Sequence, residues 1–258
     1  MEVITNTLLK VIKLSAQIIL ENGGETYRAE ESIKFICKSY NVQEIEAIAT
    51  PTGFYLTVST DGIDNNTIVK RIRKRTINLQ KINDVNTISR QIASHSITLE
   101  NALVQLESIK TGGTTQYKYS LLHAGISSAF FTVLFGGGAF EFIVSLFIGI
   151  LNSTISKNFE ELHSYQFFSS IISGMLMALI AVSATTFSGM GNYNYIIVGS
   201  LMPLLPGLAM TNAIRDTMRG DLISGMARAT EALLVASSLA AGAGAVIYTA
   251  YLIGFLGV

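Results

Sequence analysis

A chain of 258 residues with 49% hydrophobic and only 14% charged residues is too apolar for an ordinary soluble protein. Eighteen basic and eighteen acidic residues give a formal net charge of zero, which removes any general electrostatic case for nucleic-acid binding. Cys37 stands alone, so no internal disulfide can form and an oxidising compartment is not indicated.

The charge is unevenly spread. Residues 1–118 carry 14 of the 18 Lys/Arg and 12 of the 18 Asp/Glu, and the other 140 residues carry ten charges. This predicts a water-soluble domain over residues 1–115 and a membrane domain over residues 116–258. The opening MEVITNTLLKVIKLSAQIIL could pass for a signal peptide, but Lys10 and Lys13 interrupt it and no small-residue cleavage pattern follows. Its apolar residues Ile4, Leu8, Val11, Ile12, Ile18 and Ile19 recur at helical spacing, so it reads as an amphipathic helix.

Asn22-Gly23-Gly24 stops that helix, and a second is predicted from Thr26 to about Tyr40, with Glu30 and Glu31 near its positive end. The Gly-Gly turn can be an ordinary cap or can offer free amides to an anion. Ile45–Thr50 and Phe54–Thr60 read as strands joined by a turn at Pro51-Thr52-Gly53. Asp61–Asn66 is the next turn and Thr67–Arg75 a third strand, with Arg71, Arg73 and Arg75 on one face. That basic run suits a charge-guarded edge strand or an anionic-lipid surface. Helices follow at Asn78–Ser94 and Thr98–Ile109, the second capped by Thr98, and Lys110–Thr115 is the linker. The domain is thus α+β. No nucleophile–base pairing, phosphate loop or zinc cluster is visible, and His95, His123 and His163 are too scattered for a metal site. Neither metal nor cofactor is expected.

Spanning a membrane takes about 20 apolar residues. Five all-helical spans are predicted at Tyr119–Phe135, Ala139–Ser156, Gln166–Phe187, Tyr195–Met210 and Ala229–Leu256. Glu141 opens the second, and Pro203, Pro206 and Gly207 interrupt the fourth as a hinge. Lys110, Lys118, Lys157, Arg215, Arg219 and Arg228 all fall on one side of this plan, while the loops Gly136–Gly138 and Ser188–Tyr195 carry no basic residue. The positive-inside rule then makes the first domain cytosolic and the C-terminus external in a multi-pass protein of the inner or plasma membrane. Ser145, Gly149 and Ser153, and again Ala236, Ala240 and Gly244, form small-residue stripes. These suit close helix approach, either within the chain or toward a partner that completes an odd-numbered bundle.

The focus of the chain is Pro206–Glu231. Leu162–Ile214 holds no Lys, Arg, Asp or Glu, and Ala232–Val258 holds none either. Between them stand Arg215, Asp216, Arg219, Asp221, Arg228 and Glu231. This is either a loop with basic stop signals or a functional charge cluster at a membrane, and the spacing of Asp221, Ser224, Arg228 and Glu231 favours one helical stripe of both signs. Arg215 or Arg228 can hold a carboxylate bidentately, Thr211 and Asn212 can hydrogen-bond a polar substrate, and Asp216, Asp221 and Glu231 are candidates for proton coupling.

GGETYRAEES at Gly23–Ser32, ATPTG at Ala49–Gly53 and LLPGLAMTNAIRDTMRGDLISGMAR at Leu204–Arg228 together resemble the threonine/serine exporter family. The resemblance implies a transporter component rather than an enzyme. It matches the larger, five-span part of a split exporter, paired with a small membrane subunit and acting on threonine, serine or a succinate-like dicarboxylate. It also marks Glu25, Arg28, Glu30, Pro51, Thr52 and Gly53 as a motif of the cytosolic domain, which has been discussed as hydrolase-like. The expected partners are therefore that subunit, a small acid substrate and the lipid bilayer, in an oligomer without nucleic acid. The alternative is a membrane-anchored regulatory or hydrolase-like domain that gates a partner channel.

Overall fold

Helical periodicity near the N-terminus becomes α1 (Glu2–Glu21), and α2 (Thr26–Ser39) follows after the glycine turn. The computed structural model describes residues 2–42, 44–60, 64–112, 117–161 and 166–255. The expected turn at Asp61–Asn66, the linker Lys110–Thr115, His163 and the end of the fifth span at Leu256 lie wholly or partly outside the described residues. The chain divides into two compact units, Met1–Thr114 with Thr211–Ala229, and Thr115–Met210 with Thr230–Val258.

In the first unit, β1 (Glu44–Thr50), β2 (Gly53–Thr60) and β3 (Asp64–Arg71) form an antiparallel sheet in sequence order. Helices α3 (Leu79–Ala93) and α4 (Leu99–Thr111) complete it, started by side-chain caps from Asn78 and Thr98. The core joins Val11, Ile12, Ile18 and Ile19 of α1 to Ile33 and Ile36 of α2, Phe54 and Leu56 of β2, and Ile92 and Leu106 of α3 and α4. A Cβ at Gly53 would stand 2.6 Å from the Lys70 carbonyl oxygen, so the hairpin requires glycine there. The third strand stops at Arg71, short of the expected Arg75. Ile72 turns into the core and donates its amide to Thr52 O at 2.8 Å, which ends the ladder. Arg71 alone of the three arginines is therefore in a strand, and Arg73 and Arg75 lie in the exposed return to α3.

The second unit holds α5 (Tyr117–Leu134), α6 (Ala139–Glu161), α7 (Gln166–Ser188) and α8 (Tyr193–Leu201), then a 3-10 turn at Met202–Leu204. Next in the chain come α9 (Gly207–Met218) and α10 (Leu222–Leu252), both of which cross from one unit to the other. Among the described residues three helices are long and apolar enough to cross a membrane, at Ala139–Ser156, Phe167–Ser188 and Leu222–Leu252. A fourth candidate is the bent pair Tyr193–Leu204 and Gly207–Met218, and Ser120–Leu134 is a shorter apolar helix. The sequence has Tyr195–Met210 interrupted at Pro203, Pro206 and Gly207, and the backbone does break between Leu204 and Gly207, where two prolines cannot donate the helical hydrogen bonds.

Small residues set the packing of this unit. A Cβ on Gly149 would lie 2.6 Å from Ala124 O and 2.8 Å from the Gly125 Cα, so α5 and α6 touch through backbone. Beside that contact Ser145 is buried, its Oγ 2.6 Å from Thr132 Oγ1. The stripe in α10 behaves differently: Gly242 and Ala243 face α7, whereas Ala240 and Gly244 are exposed and nothing lies within 4 Å of a Cβ placed on Gly244. Glu141 is buried and accepts from the amides of Gly138 at 2.9 Å and Asn192 at 3.0 Å. Its carboxylate thus ties together the two interhelical loops that lack basic residues.

Candidate functional site: the turn before α2 and the α9–α10 charges

The α1–α2 turn is built by glycine. Gly23 has φ +83, a left-handed conformation, and the Gly24 amide returns to Ile19 O at 2.9 Å. The ordinary capping reading therefore holds. The Gly-Gly amides close α1 and do not cradle an anion, and it is the carbonyls of the turn that face the charged segment. Gly23 O accepts from Asn212 Nδ2 at 3.1 Å, and Gly24 O from Arg228 Nη2 at 2.8 Å.

The rest of the cluster assembles around the first residues of α2. Glu25 precedes the helix without capping it through its side chain. Its carboxylate pairs instead with Arg215 and with Arg28 Nε, the latter at 2.9 Å. Thr26 Oγ1 lies 3.1 Å from Asp216 Oδ1 and 2.9 Å from Asp221 Oδ2. One hydroxyl hydrogen serves only one of these oxygens at a time, so two acids surround a single donor. Asp216 is 1% exposed and Arg228 7%, and Arg228 Nε lies 3.1 Å from Asp216 Oδ2. The Nε–H is poorly aligned for a hydrogen bond on that oxygen, so the contact is an ion pair, the better-formed donation going to Gly24 O. At the exposed edge the Arg219 guanidinium sits 3.5 Å from the Tyr27 ring centroid and 3.5 Å from Glu31.

The third motif joins through Glu30, whose Oε1 accepts from the Ala49 amide at 2.8 Å on the open edge of β1. Burial holds the Glu30 carboxyl above its usual range, against the opposing pull of that amide and of Lys34. Pro51, Thr52 and Gly53 themselves form the hairpin turn, where Thr50 Oγ1 donates to Gly53 O at 3.0 Å.

The helices account for these positions. Gly220, at φ +89, ends α9, and Asp221 starts α10, its Oδ1 accepting from the Ser224 amide at 3.4 Å. The helix that carries the fifth expected span, Ala229–Leu256, begins at Leu222, and Ser224 and Arg228 share the buried side of α10. Thr211 is exposed, and Glu231 is half-buried in the part of α10 that belongs to the second unit. Pro203 lies in the 3-10 turn, Pro206 directly before α9, and Gly207 at its exposed first position.

Residues 10–250 match the family model described as "Putative threonine/serine exporter". The chain belongs to the threonine/serine exporter family. It is 23% identical over 225 residues to a "Probable succinate transporter subunit YjjP" of Klebsiella aerogenes, covering 83% of this chain and 82% of the relative. A YjjP of Escherichia coli with the same description is 22% identical over 218 residues, 81% of this chain and 82% of its own. A "Probable threonine/serine exporter" of Mycobacterium tuberculosis is 19% identical over 239 residues, 90% of this chain but 45% of that protein, so the chain spans under half of that relative. No solved structure matches. Family and apolar helices together make this a membrane transport protein.

Within this family member, sequence reasoning placed the GGET segment and the 211–231 charges in separate domains. The structure brings Glu25, Arg28, Asn212, Arg215, Asp216, Asp221 and Arg228 into one cluster. It adds Thr26, Tyr27 and the two glycine carbonyls, none of which residue type alone marks as functional. Thr26 reads in sequence only as a helix-starting residue, and no local pattern announces a contact 190 residues away.

Proposed function

We propose that the chain is one subunit of a secondary exporter of small polar acids, threonine, serine or a succinate-like dicarboxylate, working in the cell membrane with a small membrane partner. The observation that carries this reading is the Arg228–Asp216 pair, buried against the Gly24 carbonyl at the start of an apolar helix long enough to span a bilayer. Charge kept in such a place is costly, and the usual reason for it is function. In this reading Thr26 lets Asp216 and Asp221 share a proton. Arg215, half-exposed and paired with Glu25, releases that partner to take a substrate carboxylate, and Thr211 and Asn212 contact its polar groups. Glu231 extends the acid set along α10. The break at Pro203, Pro206 and Gly207 is the hinge.

The topology that fits counts α5, α6, α7, the bent α8–α9 pair and α10 as five spans, with the domain of residues 1–115 cytosolic and the C-terminus external. Two observations support it: the basic residues fall on alternate loops, and Glu141 joins the two loops that lack them. The relatives named as transporter subunits support a partner, and the smooth, exposed face of Ala240 and Gly244 suits a helix from one. Efflux of labelled threonine and succinate from loaded cells tests this. Export is expected only when a small membrane subunit is coexpressed, and Gly244→Leu is expected to lower it without lowering the amount of chain in the membrane. Full export by the purified chain alone in liposomes would refute the partner.

A further inference from the structure

Between α2 and α3 lies an open cavity of about 650 Å³ that the transport reading does not use. Its rim carries Lys34 and Lys38 of α2 and Arg90 of α3, all exposed and none of them in an ion pair among the described residues. Arg28, also on the wall, is already held by Glu25, and the one acid of the lining, Glu31, is paired with Arg219. Phe35 forms part of the wall with 49% of its surface exposed, and Asn86 adds an amide that has no hydrogen bond among the described residues.

The geometry points to a binding site for a nucleotide-class anion, its phosphates on Lys34, Lys38 and Arg90 and its base against Phe35. Three cations outside any ion pair among the described residues, of which Lys34 feels Glu30 only at longer range, ask for a ligand of at least two negative charges. An exposed flat ring beside them asks for a planar partner. The volume is ample for both and far larger than a four-carbon acid needs, so the cavity is distinct from a site for the proposed export substrate. The ligand would also touch Tyr27 and Glu31, which hold Arg219 just after α9, so its binding can bias the charged cluster.

The test is equilibrium dialysis of radiolabelled ADP against the full chain in nanodiscs of uncharged lipid. Saturable binding is expected. Lys38→Gln combined with Arg90→Gln is expected to weaken it about tenfold or more, the usual worth of charge-assisted hydrogen bonds. Phe35→Ala is expected to weaken ADP but not pyrophosphate, and both surface variants keep the fold because these side chains are exposed. Nanodiscs rich in phosphatidylglycerol are expected to leave ADP binding unchanged, and its loss there would assign the groove to lipid headgroups and overturn the proposal. So would absent saturation, indifference to the double variant, or pyrophosphate binding as tightly as ADP with Phe35→Ala neutral.

Discussion

Arg228→Gln is expected to destabilise the first unit severely and to abolish export. The change leaves the Asp216 carboxylate, 1% exposed, without its ion pair and the Gly24 carbonyl without its donor. Breaking one side of a buried pair costs about 3–5 kcal/mol, because the remaining charge is neither hydrated nor compensated. Asp216→Asn should do comparable damage from the other side. Arg228→Lys separates charge from geometry: an ammonium supplies the charge but lacks the guanidinium fork that faces Gly24 O and Asp216 together, so a partial loss is expected. Combining Asp216→Asn with Arg228→Gln should cost less than the two single losses added, since no isolated charge remains. Thermal unfolding of the purified chain reads all four proteins, and wild-type stability of Arg228→Gln would show the pair to be dispensable.

The second large effect lies in the membrane helices. Gly174→Leu and Gly242→Leu are each expected to prevent correct packing of α7 on α10. A Cβ at Gly174 would press on the Leu239 carbonyl and stand 3.1 Å from the Ala243 amide nitrogen. One at Gly242 would press on the Ile171 carbonyl and stand 3.0 Å from the Met175 nitrogen. These are backbone atoms, which cannot swing aside as a flexible side chain does. Overpacking costs about 1–3 kcal/mol where side chains can yield, and more is expected against backbone. Gly244→Leu is the control, since nothing lies within 4 Å of its added Cβ. Size-exclusion profiles of detergent-extracted protein should show aggregation for the first two and a normal peak for Gly244→Leu. A normal peak for all three would remove the close α7–α10 contact.

What sequence could and could not show divides by range. The helices and hairpin of the first unit follow from apolar spacing and from Asn78, Thr98 and Gly53, each acting on neighbours within a few residues. The charged residues of α9 and α10 were conspicuous because apolar segments flank them. Their partners were not, because Asn212–Gly23, Asp216–Thr26 and Arg228–Gly24 join positions about 190 to 200 residues apart. No periodicity carries information over that distance. The small-residue stripe in α10 was legible as a packing device, but its exposure was not: the spacing of Ala240 and Gly244 is indistinguishable from that of residues facing α7. The early end of β3 came from Ile72, whose burial outweighed the strand pattern continuing through Arg73 and Arg75.

The union of the α2 turn with α9 and α10 is tested most directly by a double-mutant cycle between Thr26 and Asp216. Both side chains are buried, and Thr26 Oγ1 lies 3.1 Å from Asp216 Oδ1. Export of labelled substrate, normalised to membrane-inserted chain, is measured for wild type, Thr26→Val, Asp216→Asn and the double variant with the proposed partner subunit coexpressed. If the two segments form one site, each single variant loses export and the double loses little more than the worse single, a coupling within the range of about 0.5–3 kcal/mol found for residues in contact. Losses that multiply as for independent positions, or wild-type export by Thr26→Val, would contradict a site shared between these segments.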